Sequence, residues 1–251
     1  MTLDEVLYKV FLFWYACGII LLSFDWIPPW LEWANAMFLV LAGLLGVIFF
    51  IKKFNWQYGL LISSVIFSSS FLIEYLGSAY SILFGQYGYT EKFAPNLFGV
   101  PIAIGFAWLM VMGTSHVLAK KIVPHGGLLY AIVGGCIAVV IDLIIDPVSY
   151  KVKQYWLWEE TGVYYGIPFS NFVGWFLVAF VLHLFLLFIL KWKKDTNQNI
   201  RWEKRMVLLF ALMIGMFILL GLLGKLWLAS SLTALLASFI LLLALRRREE
   251  T

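Results

Sequence analysis

The sequence predicts an all-α, polytopic membrane protein with about eight transmembrane helices. Two observations carry this. Of 251 residues, 63% are hydrophobic and only 13% charged, about half the charge of a soluble domain. Apolar runs of about 20 residues, each long enough to cross the hydrocarbon of a bilayer, recur along the whole length. Lipid admits only helices and closed barrels, and these runs lack the period-2 alternation of barrel strands.

The expected spans are about 6–24, 33–51, 56–76, 99–119, 125–146, 171–192, 206–223 and 226–245. Residues 1–251 form one integral membrane domain, with a motif-bearing core at about 56–192 and peripheral helices at 6–51 and 206–245. The first run ends at Trp26-Ile27-Pro28-Pro29-Trp30 and not at a small-residue cleavage site, so a retained helix is expected. Trp26, Trp30 and Trp33 form an interfacial belt. The third run carries Glu74 near its end, and the loop Gly85-Gln86-Tyr87-Gly88-Tyr89-Thr90 follows. Pro101 and Pro168 mark helix entries, where proline costs no hydrogen bond. Pro147 is expected to stop the fifth helix at Asp146. The last two runs are Leu-rich, with Gly215, Gly221 and Gly224 as packing points in scaffold or lipid-facing helices.

Charge sets the orientation. With the N-terminus inside, the cytoplasmic segments hold 14 of 18 basic residues, among them Lys52, Lys53, Lys120, Lys121, Lys193, Lys194 and Arg246 to Arg248. Both termini are therefore expected in the cytoplasm, and the 77–98 and 147–170 loops on the opposite face. The net charge of +4 sits at the ends of spans and implies no nucleic acid. Cys17 and Cys136 lie far apart within apolar runs and are expected as small buried hydrophobes, not a disulfide or metal pair. His116, His125 and His183 are dispersed without a His-x-x-His, so no metal is expected.

A weak internal repeat appears. Gly99-Val100-Pro101 precedes Trp108, and Gly166-Ile167-Pro168 precedes Trp175, both at a spacing of nine from Gly to Trp. Glu74 lies 25 residues before Gly99, and Asp142 lies 24 before Gly166. Helices 3–4 and 5–6 would then be parallel repeats, with a site where they meet.

Ionisable groups inside spans mark function. Asp142 and Asp146 stand four apart and share one helix face. Glu74 ends a neighbouring span at similar depth. Three carboxyls gathered out of water favour a shared proton, so at least one is expected to be a proton donor near neutral pH. The loop 147–170 carries seven aromatic residues. An interfacial belt accounts for part of them, and the excess suits a lid over a hydrophobic ligand, with ring faces able to shelter a cation. Asn171 can hold a water or orient a carboxyl, or simply cap its helix near its start.

These blocks are familiar. Asp142-Leu-Ile-Ile-Asp146-Pro147, Trp156-x-Trp158, Gly162-Val-Tyr164-Tyr165-Gly166-Ile-Pro168 and Asn171-Phe-x-Gly174-Trp175, with Glu74-Tyr-Leu-Gly77 and Gly99-Val-Pro101 upstream, resemble the membrane carotenoid biosynthesis family of carotenoid 1,2-hydratases. The resemblance covers about residues 70–180. It implies hydration of a terminal isoprenoid double bond to a tertiary alcohol without redox cofactor. It also implies a carotenoid or other isoprenoid lipid as substrate, with other enzymes of the same pathway as partners. On that expectation Asp142 or Asp146 donates the proton and Glu74 holds or deprotonates the water. Tyr87, Tyr89, Trp156, Trp158, Tyr164, Tyr165, Asn171 and Trp175 surround the substrate end. The residues alone do not rank the three acids. Two rivals stand beside it: a membrane prenyltransferase using Asp-x-x-x-Asp to hold Mg²⁺ and diphosphate, and a lipid or proton-coupled transporter.

Overall fold

A computed structural model describes residues 2–24, 26–192 and 199–246. Lys193, Lys194, Arg247 and Arg248, used above for the charge asymmetry, lie outside them. Eight helices among the described residues are long and apolar enough to span a membrane. They are α1 (Leu3–Ser23), α2 (Trp33–Phe54), α3 (Trp56–Tyr80), α4 (Ile102–Ile122), α5 (Leu128–Pro147), α6 (Phe169–Trp192), α7 (Ile200–Leu223) and α8 (Trp227–Arg246).

The bundle is built around α4, which is buried along nearly its whole length from Ala103 to Ala119. Small residues let its neighbours approach. A Cβ added at Gly43 of α2 would lie 2.4 Å from the Phe106 carbonyl oxygen, and one at Gly46 would lie 2.6 Å from that of Leu109. The α2 and α4 backbones are therefore in direct contact, the arrangement that drives helix association where lipid removes the hydrophobic effect. Of the glycines expected as packing points, Gly221 and Gly224 meet Ser230 and Val152 closely, whereas a side chain at Gly215 would meet only the Tyr15 hydroxyl at 4.0 Å. Cys17 is half-buried and Cys136 exposed, in contrast to the buried positions expected. In a membrane bundle an apolar thiol is as well solvated by lipid as by a core, so hydrophobicity does not separate the two locations.

Pro147 does not end α5. The helix includes it and continues through a π-helical turn, Val148–Lys153. Proline lacks an N–H, so the Leu143 carbonyl four residues back loses its helical donor. The Tyr164 hydroxyl donates to that carbonyl at 2.7 Å instead. A distant loop residue thus supplies what the proline removes, and the helix continues.

The two connecting loops repeat one another. Leu97 of β2 (Asn96–Leu97) pairs with Val100 of β3 (Val100–Pro101) around Phe98-Gly99, and Tyr164 pairs with Ile167 around Tyr165-Gly166. Phe98 and Gly99 have φ of 51° and 81°, and Tyr165 and Gly166 have 54° and 83°. Positive φ at both central residues is the requirement of a type I′ turn. Each turn delivers a proline immediately before a spanning helix, α4 or α6. Between them, β1 (Tyr87–Tyr89) of the first loop pairs antiparallel with β4 (Trp156–Trp158) of the second. Helices 3–4 and 5–6 thus carry matching entry turns and are joined by their own loops.

Candidate active site

The β1–β4 register sets Tyr87 opposite Trp158 and Tyr89 opposite Trp156. Each strand holds a different acid. The Tyr87 and Tyr89 hydroxyls both donate to Glu74 Oε2 at 2.7 Å, and Trp108 Nε1 donates to Oε1 at 3.1 Å. Trp156 and Trp158 donate through their indole N–H groups to Asp146 Oδ1 at 2.7 and 3.1 Å. Alternation along a strand turns residues i and i+2 to the same face, so two rings per strand reach one carboxyl.

Asn171, near the start of α6, completes the arrangement. Its Nδ2 donates at 2.7 Å to Asp142 Oδ2 and at 2.7 Å to Asp146 Oδ2. An amide nitrogen has two hydrogens, so one goes to each carboxyl. All three acids and Asn171 are buried.

The donors are unequally shared. Glu74 receives three and Asp146 receives three, while Asp142 receives only that of Asn171. No donor among the described residues reaches Asp142 Oδ1. Donors stabilise a carboxylate, so Glu74 and Asp146 are furnished for negative charge and Asp142 is furnished least. Burial, followed by the adjacent Glu74 carboxyl, pushes the Tyr87 and Tyr89 phenols well above their ordinary value. Both therefore remain O–H donors.

The three acids line a cavity of about 260 Å³. Tyr87, Tyr89, Trp156, Trp158, Asn171 and Trp175 line it as well. Tyr164 and Tyr165, expected against the substrate, are used elsewhere. Tyr164 caps Leu143, and the Tyr165 hydroxyl accepts from the Ala229 backbone N–H in the first turn of α8 at 3.2 Å. Tyr164→Phe should lower stability by about 1–3 kcal/mol, the cost of orphaning a backbone carbonyl away from water. Thermal unfolding of the purified protein in detergent measures this.

Trp108, which the sequence marks within the repeat but not among the expected site residues, lines the cavity. Beyond its bond to Glu74 it stacks on Trp175, with ring centroids 4.5 Å apart. The repeat was the signal that could have found it, because Trp175 holds the same place in the second half. The wall contributed by α1, α2 and α7, where Trp14, Phe38, Met216 and Phe217 line the cavity, has no signature in the sequence. Helices expected as peripheral thus enclose the site.

Two of the three histidines, His116 and His183, form a separate buried group. His116 Nδ1 and the Tyr130 hydroxyl share a hydrogen bond, and the His183 ring packs edge-on against Tyr130. Neither histidine lines the acid cavity.

A family model described as "Carotenoid biosynthesis protein" matches residues 34–243. No curated protein and no solved structure matches the chain.

Proposed function

The chain belongs to the carotenoid biosynthesis protein family, and from that premise we propose that it is a carotenoid hydratase, adding water to a terminal isoprenoid double bond. The observation that carries this reading is the unequal furnishing of three buried acids that line an aromatic-walled cavity. Hydration of a trisubstituted alkene needs an acid, a shelter for a tertiary cation and a base for water. Asp142, with an oxygen free of donors, carries the proton and gives it to the less substituted carbon. Ring faces lining the cavity, Trp108 and Trp175 among them, shelter the cation. Water adds to the tertiary carbon and loses its proton to Glu74. Glu74 suits that role better than Asp146, because tyrosine hydroxyls can rotate to accept from a newly protonated carboxyl, whereas indole N–H groups cannot. Asp146 remains a carboxylate, holds Asn171 in place and balances the cation. Return of the proton from Glu74 to Asp142 closes the cycle with no net change in the protein.

An Asp-x-x-x-Asp diphosphate site would turn its oxygens toward a cation. Here N–H donors occupy Asp142 Oδ2 and both oxygens of Asp146, which favours hydration over prenyl transfer. Both termini lie in the cytoplasm on this reading, with the acids toward the opposite face and the polyene in the bilayer.

Expression in a host that accumulates an acyclic carotene should yield a more polar pigment, heavier by one water. With ¹⁸O-labelled water the new oxygen should carry the label. A product with unlabelled oxygen, or none from several acyclic carotenes, rejects the reading.

A further inference from the structure

The cavity does not end at the acids. It continues to α1, where Trp14, Gly18 and Leu22 line it from one helix face at a spacing of four. Phe217 of α7 lines the same space. Phe13, on the same wall, is 69% exposed, so the space meets the lipid-facing surface there. Phe11 is the single buried residue of α1, which otherwise packs loosely on the bundle. Among the described residues α1 is also the one spanning helix wholly outside the family match, which begins at residue 34. A side chain added at Gly18 would meet nothing within 4 Å.

We propose that α1 is the specificity wall of this protein: it receives the hydrocarbon tail of a linear isoprenoid whose end lies at the acids, and Gly18 leaves the room that the tail fills. The inference rests on the hydratase reading for the position of the reacting end. The tail is assigned as hydrocarbon because the α1 segment of the lining is apolar and continuous with the acid site. A molecule longer than the cavity must leave it past α1 toward lipid. The acids and their donors come from α3, α4, α5, α6 and the two loops, so α1 alters which molecule fits without touching the chemistry.

The test uses the full-length protein in lipid nanodiscs, with two probes: an acyclic carotene and a short acyclic terpene carrying the same end group. Binding is read by quenching of tryptophan fluorescence, which requires no turnover. Gly18→Phe should weaken carotene binding by about tenfold or more, the scale set by a bulk change in an apolar pocket. Binding of the short terpene should be unchanged, and Gly18→Ala should keep both. Equal carotene binding by wild type and Gly18→Phe overturns the proposal, as does loss of both probes or failure of the wild type to bind carotene. Turnover is measured in parallel. Selective loss of carotene binding with no hydrated product from the wild type would reject the hydratase reading and leave the role of α1 standing.

Discussion

Asp142→Asn is expected to cut hydration by about 10²–10⁴-fold, the usual contribution of a positioned general acid, while the protein still inserts and folds. The substitution is nearly isosteric, and an asparagine oxygen can still accept from Asn171 Nδ2. What disappears is the transferable proton. Hydrated product per unit of membrane protein, quantified chromatographically against wild type, measures the effect. Glu74→Gln should also lower the rate, but through water capture. In Glu74→Gln the carotene end should still exchange hydrogen with deuterated solvent, because protonation by Asp142 is retained. In Asp142→Asn that exchange should vanish. Full hydration by Asp142→Asn would remove it from the mechanism.

Gly43→Leu is expected to prevent assembly of the bundle. The first carbon of any side chain there falls 2.4 Å from the Phe106 carbonyl oxygen and 2.7 Å from its Cα. Both are backbone atoms of the most buried helix, so no rotamer change relieves the clash. Separating α2 from α4 should cost at least about 3 kcal/mol, at the upper end for overpacking. Size-exclusion chromatography of the detergent extract should show loss of the monodisperse species. Gly215→Leu is the control: its side chain enters open space beside the Tyr15 hydroxyl and should leave the profile unchanged.

Much of the fold was legible because lipid imposes a simple rule. Each span must satisfy its own backbone, and the apolar runs therefore foretold eight helices. That Glu74 lines the same cavity as Asp142 and Asp146 agrees with the repeated spacing of acid, loop, Gly-x-Pro and Trp. The rest depended on contacts between distant residues. Whether Pro147 ends α5 turns on who donates to the Leu143 carbonyl, and that donor lies 21 residues away in a loop. Tyr164 and Tyr165 resemble ligand-facing aromatics in composition, yet their hydroxyls serve backbone groups of α5 and α8. The α1 and α7 walls were invisible for another reason. A residue that faces lipid and one that faces an apolar cavity obey the same solvation preference, so sequence does not distinguish them.

The acids line a cavity whose wall also includes Phe13, a residue exposed at the lipid-facing surface. A site with one reacting end handles a two-ended substrate distributively. On the proposed hydratase reading, a linear carotene with two identical termini would present one of them per visit, dissociate into the bilayer, and have to rebind reversed before the second could react. On that reading, the singly hydrated compound would be a free intermediate of the membrane pool, competing with unreacted carotene for re-entry. Scarce enzyme would accumulate mostly that intermediate, and the balance of one-ended to two-ended product becomes a matter of membrane concentration and residence time.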